Sequence, residues 1–489
     1  MAIITLSRIL AFWAAKQPDR PAIDHEGAQI SWADLDRRTN RLARAYEKLG
    51  VKQDDFVTIA LPNGIEFFEA CLATWKAGAT PQPISSRLPK HERDQIVELG
   101  KPSLVVGVPA GEYGDTPSVP ENYEPDASLP DTELPERMAA SLKAMTSGGS
   151  TGRPKLIVSK IPAAWDPELP YLEIPVQGAM LIPGPLYHNG PFMWAMIALF
   201  KGCTVGITTR FDAEKTLSTI ERLKVDVVYT VPTMMRRIWA LPEDVRNKYD
   251  LSSLKALWHL AAPCPAWLKE CFIEWLGGDV IWELYAGTEG QGTTIIQGTE
   301  WLEHRASTGL PTEPCEMKVV GENGENLPPG EVGEIFMRPL EGPGTTYRYI
   351  GAEAKSLEGG WESLGDMGYM DEDGYLYLTD RLSDMILSGG ANIYPAEVEA
   401  AIDAYPGVQS SAVIGLPDED MGARLHAVIC RPEGAVDEAD MVAHLATMLV
   451  RYKIPKSFEY VSEAVRDDAG KVRRKTLREE RIAAMAQNA

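Results

Sequence analysis

The segment Thr146-Ser-Gly-Gly-Ser-Thr-Gly-Arg-Pro-Lys155 combines small hydroxyl residues and glycines with a lysine. Such a loop offers backbone N–H groups and hydroxyl donors to phosphate oxygens, and Lys155 adds positive charge. The pattern G-x-x-x-x-G-K-[ST] of a P-loop does not fit here. A surface linker is the usual alternative for a Gly/Ser run, but the apolar residues Leu156–Val158 predict that this loop leads straight into a buried strand. The segment therefore predicts a phosphate-binding loop.

A second segment with chemical potential is Glu283-Leu-Tyr-Ala-Gly-Thr-Glu-Gly290, which follows a predicted strand ending near Trp282. The ring of Tyr285 offers a face on which a purine can stack. Thr288 and Glu289 offer oxygen atoms to magnesium and to a phosphate. An ordinary strand-to-loop turn is the alternative interpretation of this segment.

Asp366 ends the run Gly360-Trp-Glu-Ser-Leu-Gly-Asp366, and Asp380-Arg-Leu-Ser-Asp384 follows it along the chain. A carboxylate accepts paired hydrogen bonds from ribose hydroxyls, and an arginine serves ribose or phosphate. Asp366 taken alone is equally typical of a turn, because Asp-Met-Gly is a turn signal. Asp366 and Arg381 are therefore a candidate pair for sugar recognition.

The basic stretch Gly470-Lys-Val-Arg-Arg-Lys-Thr-Leu-Arg478 stands out in an acidic chain, whose 48 basic and 70 acidic residues give a net charge of −22. This balance disfavours nucleic-acid binding and docking on anionic membranes, since both need a basic face. A polyanionic ligand would have to meet a local basic patch such as this one. A solvated helix face is the alternative for a run of charges.

The elements that must position these segments indicate an α/β protein of more than one domain. A chain of 489 residues exceeds what one hydrophobic core normally serves. Strands alternate with helical patterns in residues 21–105 and again in residues 179–229, which predicts parallel βαβ units. From about Thr308, short strands separated by turns predict a small antiparallel barrel or sheet. After Arg381 a compact α+β unit is expected, so the predicted domains are residues 1–381 and 382–489.

The cysteines and the N-terminus both favour a cytoplasmic protein. The six cysteines show neither CxxC nor zinc-like spacing, which argues against disulfides and structural zinc. The apolar stretch Ile9–Ala15 is short and is followed by Asp19 and Arg20, which predicts an amphipathic first helix. No run is apolar for long enough to predict a membrane span.

In their order and spacing, these segments resemble the acyl-adenylate-forming (ANL) superfamily over roughly residues 5–480. Thr146–Lys155 resembles the phosphate loop of that family, and Glu283–Glu289 resembles its aromatic-Thr-Glu motif. Asp366 and Arg381 match its ribose-binding pair, and Lys471 matches its catalytic lysine. Ser388-Gly-Gly-Ala-Asn-Ile-Tyr-Pro-Ala-Glu-Val-Glu399 matches the segment that opens its mobile C-terminal domain.

The resemblance implies a large N-terminal domain of parallel βαβ subdomains with a small β-barrel, and a small mobile α+β C-terminal domain. It implies an ATP-dependent acyl-CoA ligase, which converts a carboxylic acid and ATP into acyl-adenylate and pyrophosphate, and then acyl-adenylate and coenzyme A into acyl-CoA and AMP. Lys471, Glu289, Thr288 and His188 are the implied catalytic residues, with Glu289 also holding Mg²⁺. The implied ATP-binding residues are Thr146, Ser147, Gly148, Gly149, Ser150, Thr151, Gly152, Lys155, Ala262, Pro263, Glu283, Leu284, Tyr285, Asp366 and Arg381.

Two further roles that the resemblance implies concern the second half-reaction. Ser383 stands at the hinge about which the C-terminal domain rotates, so that Lys471 leaves the path of the thiol. Gly389 and Gly390 would line the channel for the pantetheine arm, where absent side chains permit close approach.

The acyl pocket is implied near Pro185-Leu-Tyr-His-Asn-Gly-Pro-Phe192. His188 matches an aromatic position that gates or walls the acid site, although a hydrogen-bonded histidine at a helix N-terminus is an equal alternative. The candidate pocket residues are His188, Asn189, Phe192, Trp194, Met234, Trp258, Ala286 and Gly287. Met193 and Met235 belong to the same apolar set, for which plain core packing is the main alternative. Residues 185–194 contain no Asp of the kind that holds a substrate amine, which favours a simple, bulky or medium-to-long apolar acid, as in fatty-acid and bile-acid CoA ligases.

Three other functions stay open on the sequence. An acyl-AMP ligase would load a carrier protein in trans, and a luciferase-like enzyme would oxidise its adenylated substrate. A protein of another class would bind ATP without turnover, although Lys471, Glu289 and Asp366 argue against it. The sequence is also compatible with a homodimer.

Overall fold

The computed structural model describes residues 3–148, 154–388, 391–418, 420–467 and 470–488. Helices α1 to α13, in chain order, are Leu6–Lys16, Trp32–Lys48, Ile65–Lys76, Lys90–Gly100, Asn189–Phe200, Ala213–Leu223, Pro232–Trp239, Glu243–Arg246, Ala266–Leu276, Gly298–Trp301, Pro395–Asp403, Glu438–Ala446 and Arg474–Asn488. A short 3₁₀ helix spans Arg451–Lys453.

Strands β1 to β14, in chain order, are Ile4–Thr5, Pro21–His25, Ala28–Ser31, Phe56–Ile59, Thr80–Pro83, Leu104–Val106, Ser118–Val119, Ala144–Gly148, Pro154–Ser159, Ala164–Trp165, Ala179–Ile182, Thr204–Ile207, Val227–Thr230 and Ala256–Leu260. Strands β15 to β28 are Ile281–Ala286, Thr293–Gln297, Leu310–Pro311, Cys315–Val320, Gly333–Pro339, Tyr347–Ile350, Lys355–Leu357, Trp361–Met370, Leu376–Arg381, Ile386–Ser388, Ala391–Ile393, Ser410–Asp418, Gly422–Cys430 and Ser457–Val461.

A nine-stranded sheet in the order β17-β16-β15-β14-β13-β11-β12-β2-β3 forms the centre of the large domain. The six strands from β15 to β2 run parallel. β16 on one side and β3 on the other pair antiparallel with them, and β17 pairs antiparallel with β16. Parallel sheets are covered on both faces, which is why the residues of β11 to β14 are all buried. The predicted βαβ organisation is confirmed.

Four smaller sheets accompany the nine-stranded sheet among the described residues of the large domain, one of which is the antiparallel pair of β1 and β10. A parallel sheet, β5-β4-β6-β7, carries the strands expected near residues 56 and 104, and β20-β9-β8 forms an antiparallel sheet beside it. The antiparallel unit expected after Thr308 is a five-stranded sheet in which β18, β19 and β22 are consecutive and β21 and β23 both pair with β22. β8 and β9 flank the predicted phosphate loop, and β22 and β23 carry the predicted ribose pair.

The C-terminal residues have a hydrophobic core of their own, built around a sheet in the order β26-β27-β28. Helix α11 starts with Pro395 at its first turn, as predicted, and buries Val398 and Ile402 in this core. β24 and β25 form a hairpin next to it. The separate core explains why these residues form a distinct α+β unit.

Two other features agree with the sequence. All six cysteines are free thiols, and α1 is the helix expected at the N-terminus. Within the described ranges, no helix is both long enough and apolar enough to cross a bilayer.

Candidate active site

One large cleft brings the predicted segments together. It has a volume of about 2810 Å³ and is lined by residues of both domains. Pockets for a single small ligand are usually about 300–1,000 Å³, so this cleft has room for more than one substrate. The large domain contributes the ends of β8, β9 and β15, and the small domain contributes the loop of Lys471.

At one end of the cleft, Tyr285, Asp366 and Arg381 form a hydrogen-bonded group. Asp366 and Arg381 are paired across β22 and β23, which sets Arg381 Nε 3.2 Å from Asp366 Oδ1. Tyr285 donates its hydroxyl hydrogen to Asp366 Oδ2 over 2.7 Å. Burial and the Asp366 charge raise the pKa of Tyr285, so its phenol stays protonated. The Arg381 side chain is 64% exposed, which leaves most of its donors available to a ligand.

Further along the cleft, Glu289 is only 7% exposed and is held by two groups. Tyr349 donates its hydroxyl hydrogen to Glu289 Oε1 over 2.5 Å, and Lys155 Nζ lies 3.4 Å from the same oxygen. The Lys155 ammonium also lies 4.0 Å from the centre of the Tyr349 ring. Burial and the Glu289 charge raise the pKa of Tyr349, which keeps it a donor. Tyr349 was missed on the sequence because it belongs to none of the motifs.

The strand that carries the aromatic-Thr-Glu motif extends further than the sequence indicated. β15 continues to Ala286, and Thr288 follows it in the cleft wall. A Cβ on Gly287 would lie 2.2 Å from Leu364 Cδ1, so a small residue is required where the chain leaves the strand. Leu284, Ala286 and Gly287 all line the cleft.

The side chain of Glu283 points to a partner in the large domain. Lys269 Nζ donates to Glu283 Oε2 over 2.7 Å, and the exposed fractions are 0% for Lys269 and 8% for Glu283. His259 lies 3.8 Å from the same oxygen, and burial together with the Lys269 charge lowers the pKa of His259 well below its usual value. This pair joins α9 to the motif strand β15. Ala262 and Pro263 follow β14 and line the cleft nearby.

The predicted phosphate loop is described in part. Thr146, Ser147 and Gly148 end β8, where Ser147 pairs with Lys155 of β9. Gly149, Ser150, Thr151 and Gly152 lie outside the described residues, as do Gly389 and Gly390 of the predicted pantetheine channel. The hinge candidate Ser383 is exposed and lies just after β23.

Lys471 reaches the cleft on a loop of the small domain. Its backbone N–H donates to Asp467 Oδ1 over 2.9 Å, and its carbonyl accepts from the Asp467 N–H over 2.9 Å. Gly470 has a φ of 76°, a conformation that favours glycine. A Cβ there would lie 3.5 Å from Thr233 Oγ1, so the loop approaches the large domain closely. Loss of hydration of its amino group within the surrounding protein, together with the Arg381 charge, lowers the pKa of Lys471.

The Lys471 loop is tied to α11 of its own domain through Glu399. Arg466 donates to Glu399 Oε2 over 2.5 Å and to the Gly470 carbonyl over 3.1 Å, and Arg474 donates to Glu399 Oε2 over 2.8 Å. Burial alone would favour the neutral acid, but the two guanidiniums outweigh it and lower the pKa of Glu399. The loop is therefore anchored within the small domain.

A contact between the domains lies away from the hinge. Arg236 of α7 is 8% exposed, and its Nη2 lies 3.0 Å from Asp403 Oδ2 of α11. Its Nη1 also donates to the Gln409 carbonyl over 3.3 Å. This contact accompanies the arrangement in which Lys471 faces the large domain.

His188 precedes α5 as its N-cap residue but makes no capping hydrogen bond through its side chain. Its Nε2 is buried and has no hydrogen-bond partner among the described residues. The alternative of a hydrogen-bonded histidine therefore does not describe this atom. Burial and the Lys471 charge lower the pKa of His188 to about 3, so the imidazole is neutral at physiological pH.

The apolar candidates fall into two groups. Met193, Trp194 and Met234 line the cleft beside His188. Phe192 and Trp258 do not, and for these two residues the predicted place in the pocket is wrong. Phe192 is 0% exposed against Phe67 and Trp75.

Trp258 lies behind Trp194, with ring centres 5.2 Å apart, and stacks on Trp282. Met235 is likewise fully buried in a second core cluster. Helix α5 is apolar on every side, so its sequence could not tell which of its residues line the cleft and which are buried in the core.

Asn189, the first residue of α5, has a partner that the sequence analysis missed. Lys143 Nζ donates a hydrogen bond to Asn189 Oδ1, and both residues line the cleft. Lys143 is 9% exposed, and burial lowers its pKa to about 7. The available signal in the sequence was Lys143 itself, a charged residue directly before the apolar start of β8.

The oxygen atoms near Glu289 suit Mg²⁺. This ion is usually held by one or two protein carboxylates together with substrate phosphates, so a dense ligand cluster is not required. Within the described residues, no group of three His, Cys, Asp or Glu side chains could hold a metal. The Glu289 carboxylate and the Thr288 hydroxyl both line the cleft and fit such a shared site.

The family described as "AMP-binding enzyme" matches residues 10–350, and "AMP-binding enzyme C-terminal domain" matches residues 397–471. The chain is 34% identical to a feruloyl-CoA synthase from Amycolatopsis sp, covering 94% of this chain and 95% of the relative. It is 29% identical to the long-chain-fatty-acid–CoA ligase FadD13 of Mycobacterium tuberculosis, covering 92% and 93%.

Among solved structures, it is similar to the o-succinylbenzoate coenzyme A synthetase MenE of Bacillus subtilis in complex with ATP and magnesium ion. The TM-score is 0.80 at 25% identity, covering 97% of this chain and 100% of that one.

Proposed function

Because the chain belongs to the AMP-binding enzyme family and is an ATP-dependent acyl-CoA ligase, we propose that it activates a bulky or medium-to-long acid with a largely apolar body. The ligase forms an acyl-adenylate and transfers the acyl group to coenzyme A. ATP, Mg²⁺ and coenzyme A are the small molecules that this reaction requires. The identity of the acid is the proposed part.

The observation that carries the proposal is the wall of Met193, Trp194 and Met234, which lies in the same cleft as Glu289 and Lys471. Methionine and tryptophan side chains favour an apolar group, and methionine adapts its shape to bulky ones. The relatives named above act on feruloyl and long-chain fatty acyl groups, as their names state, and both fit such a wall.

In the first half-reaction, the acid's carboxylate attacks the α-phosphate of ATP and pyrophosphate leaves. Two anions must approach each other, so the site has to supply positive charge. We assign this role to Lys471, with Lys155 on the phosphate side. Asp366 and Arg381 would hold the ribose, and the Tyr285 ring would lie against the adenine.

Glu289 and Thr288 would hold Mg²⁺ together with phosphate oxygens. When bound, the ion would neutralise part of the phosphate charge. Lys155 and Tyr349 now occupy Glu289 Oε1, so they would keep the carboxylate oriented toward the cleft.

In the second half-reaction, the thiol of coenzyme A attacks the acyl-adenylate and AMP leaves. We propose that the small domain, residues 382–489, rotates about Ser383 and withdraws Lys471 from residues 1–381. The exposure of Ser383 and the separate core of the small domain support this motion. Gly389 and Gly390 would then line the pantetheine channel.

Two further proposals concern the cellular setting. Six free cysteines favour a reducing compartment, and we propose the cytoplasm. We also propose that the protein forms a homodimer, and a measurement of the mass of the protein in solution tests this.

The experiment is AMP release across a panel of short, aryl, long-chain, steroid and terpenoid acids, each with and without coenzyme A. We expect coenzyme A-dependent AMP release with one bulky, largely apolar class. Activity confined to short or polar acids would refute the proposed substrate. Pyrophosphate release that coenzyme A does not accelerate would indicate transfer to a carrier protein, and no turnover at all would indicate an inactive homologue.

A further inference from the structure

Lys143 is a buried lysine that faces the substrate cleft rather than the protein core. It directly precedes β8, and its side chain lines the cleft together with Asn189 and His188. Its exposed fraction is 9%. A lysine this deeply buried needs compensation for the lost hydration of its amino group.

Another lysine in the same chain shows what full compensation involves. Lys76 is 1% exposed, and its Nζ donates to the Asp36 carbonyl, to Asp36 Oδ1 and to Asn40 Oδ1. These three acceptors match the three hydrogens of an ammonium group. Lys76 is therefore satisfied by the protein alone.

Lys143 differs from Lys76 in this respect. Among the described residues, its amino group has one hydrogen-bond acceptor, Asn189 Oδ1. The buried Nε2 of the neighbouring His188 has no hydrogen-bond partner among the described residues. Polar groups buried without partners are destabilising, so their convergence on a cleft indicates that a ligand supplies the missing atoms.

The backbone of Lys143 lies further along the strand than the residues on the phosphate side of the cleft. Ser147 pairs with Lys155, which contacts Glu289, and Lys143 lies four residues before Ser147 on the same face of the strand. The Ser159 N–H donates to the Lys143 carbonyl, so the register continues to this residue. At about 3.3 Å per residue, its backbone lies roughly 13 Å from the phosphate side.

We propose that Lys143, oriented by Asn189, is a specificity-determining residue that binds an oxygen atom on the body of the acid, remote from the carboxylate that is activated. The ligand group is a hydrogen-bond acceptor such as a phenolic, keto or second carboxylate oxygen. This inference rests on the proposed function, since it concerns the acid end of the same cleft. It adds one polar requirement to an otherwise apolar pocket.

The chemistry of Lys143 and Asn189 favours a hydrogen-bond acceptor on the ligand. The amino group donates whether it is charged or neutral, and Asn189 keeps its two amide hydrogens while its oxygen faces Lys143. Burial, opposed by the Glu289 charge, lowers the pKa of Lys143 to about 7, so both forms are accessible. Met193 and Trp194 line the same cleft and contribute apolar surface to it.

The test uses matched acids that differ by one oxygen, taken from those bodies that support ATP-dependent AMP release. Suitable pairs are 4-hydroxycinnamate and cinnamate, 3-(4-oxocyclohexyl)propanoate and 3-cyclohexylpropanoate, and 16-hydroxyhexadecanoate and hexadecanoate. We measure kcat/KM for pyrophosphate release with each acid. The wild-type enzyme is expected to prefer the oxygenated member of at least one pair by about 10- to 100-fold, as expected for a hydrogen bond to a charged group.

The variant Lys143→Met should reduce that preference to near unity, and Lys143→Arg should retain part of it. The matched control Lys76→Met removes another buried lysine and should lower thermal stability while keeping the preference. The wild-type comparison needs no variant, so it stands even if Lys143→Met does not fold. Equal rates within every pair, or an equal loss for both members in Lys143→Met, would overturn the proposal. Failure of the proposed function is distinct, because it is seen beforehand as absent AMP release.

Discussion

The two domains hold their contributions to the cleft in different ways. In the large domain, Asp366 and Glu289 are each fixed by neighbours of the same domain, Tyr285 and Arg381 for the first and Tyr349 and Lys155 for the second. Lys471 of the small domain is also held from within its own domain, through the Asp467 and Glu399 networks.

The Arg236 contact between the domains has fewer hydrogen bonds than the networks inside each domain. Arg236 reaches Asp403 and the Gln409 carbonyl, and none of these three residues belongs to the hydrophobic cores of the two domains. Each half of the site is thus held from within its own domain, and we propose that the relation between the halves changes between the two half-reactions. An enzyme with two half-reactions needs this combination, because one group must serve the first step and then leave.

The largest expected effect comes from removing the group that moves. Lys471→Ala should lower the rate of adenylate formation roughly 100- to 1,000-fold, because the charge that stabilises the phosphate is lost. Thioester formation from supplied acyl-adenylate should fall much less. The two half-reactions are assayed separately, with the exposed Lys456→Ala of the same domain as control. An equal loss in both would contradict the division between a fixed and a moving half.

A group of the fixed half should behave differently. Glu289→Gln keeps the shape and still accepts from Tyr349, but it removes the carboxylate expected to hold Mg²⁺. We expect a fall of roughly 100-fold in kcat and a higher Mg²⁺ requirement, with both half-reactions affected.

Mg²⁺ titrations of both half-reactions test this prediction. Glu362→Gln is the matched control, since Glu362 accepts from Tyr347 and Gln291 but does not itself line the cleft. A Glu289 variant with unchanged Mg²⁺ dependence would place the metal elsewhere.

The contact between the halves should give an intermediate effect. Arg236→Met removes the guanidinium that joins Asp403 and Gln409, so the closed arrangement is less populated. Adenylate formation should slow roughly tenfold, while thioester formation is spared. Asp403→Asn should act similarly, and the double variant should add little to either single one. Additive losses would show that the two residues act independently.

The smallest effect concerns His188, which lines the cleft of the large domain and is affected by the charge of Lys471 from the small domain. Its pKa in the folded protein is about 3, while an unfolded histidine has a pKa of about 6.5. As pH falls from about 7.5 to about 6, the unfolded chain takes up a proton that the folded protein does not, so stability decreases. His188→Asn should lose about 1 kcal/mol less than the wild type over this interval. Denaturant unfolding at both pH values measures the free energy of unfolding of the wild type and of His188→Asn. An equal change with pH in the two proteins would indicate a histidine with an ordinary pKa in the folded state.

The sequence was informative wherever chemistry required several residues in a fixed order. The segments at Thr146, Glu283 and Asp366 lie in one cleft because the ends of their strands converge there. Their backbone spacing is local, so the sequence retains it. The parallel sheet was equally predictable from alternating strand and helix patterns.

The sequence was uninformative where only tertiary packing decides. Phe192 and Trp194 are both apolar residues of α5, yet one is core and the other is cleft wall. Lys143 and Arg236 find their partners on elements distant in the chain, and no local pattern identifies those partners. Such contacts depend on how whole elements are placed relative to one another.

The buried pair Lys269–Glu283 has a consequence for how this enzyme can diverge. Loss of either partner leaves an isolated charge under the motif strand, at a cost of about 3–5 kcal/mol, whereas joint replacement by apolar residues is often neutral. A lineage therefore cannot reach the apolar solution by single substitutions without passing through a poorly folded intermediate. We expect the two positions to be inherited together, as one unit of evolutionary change, even while the surrounding acyl pocket drifts toward new substrates.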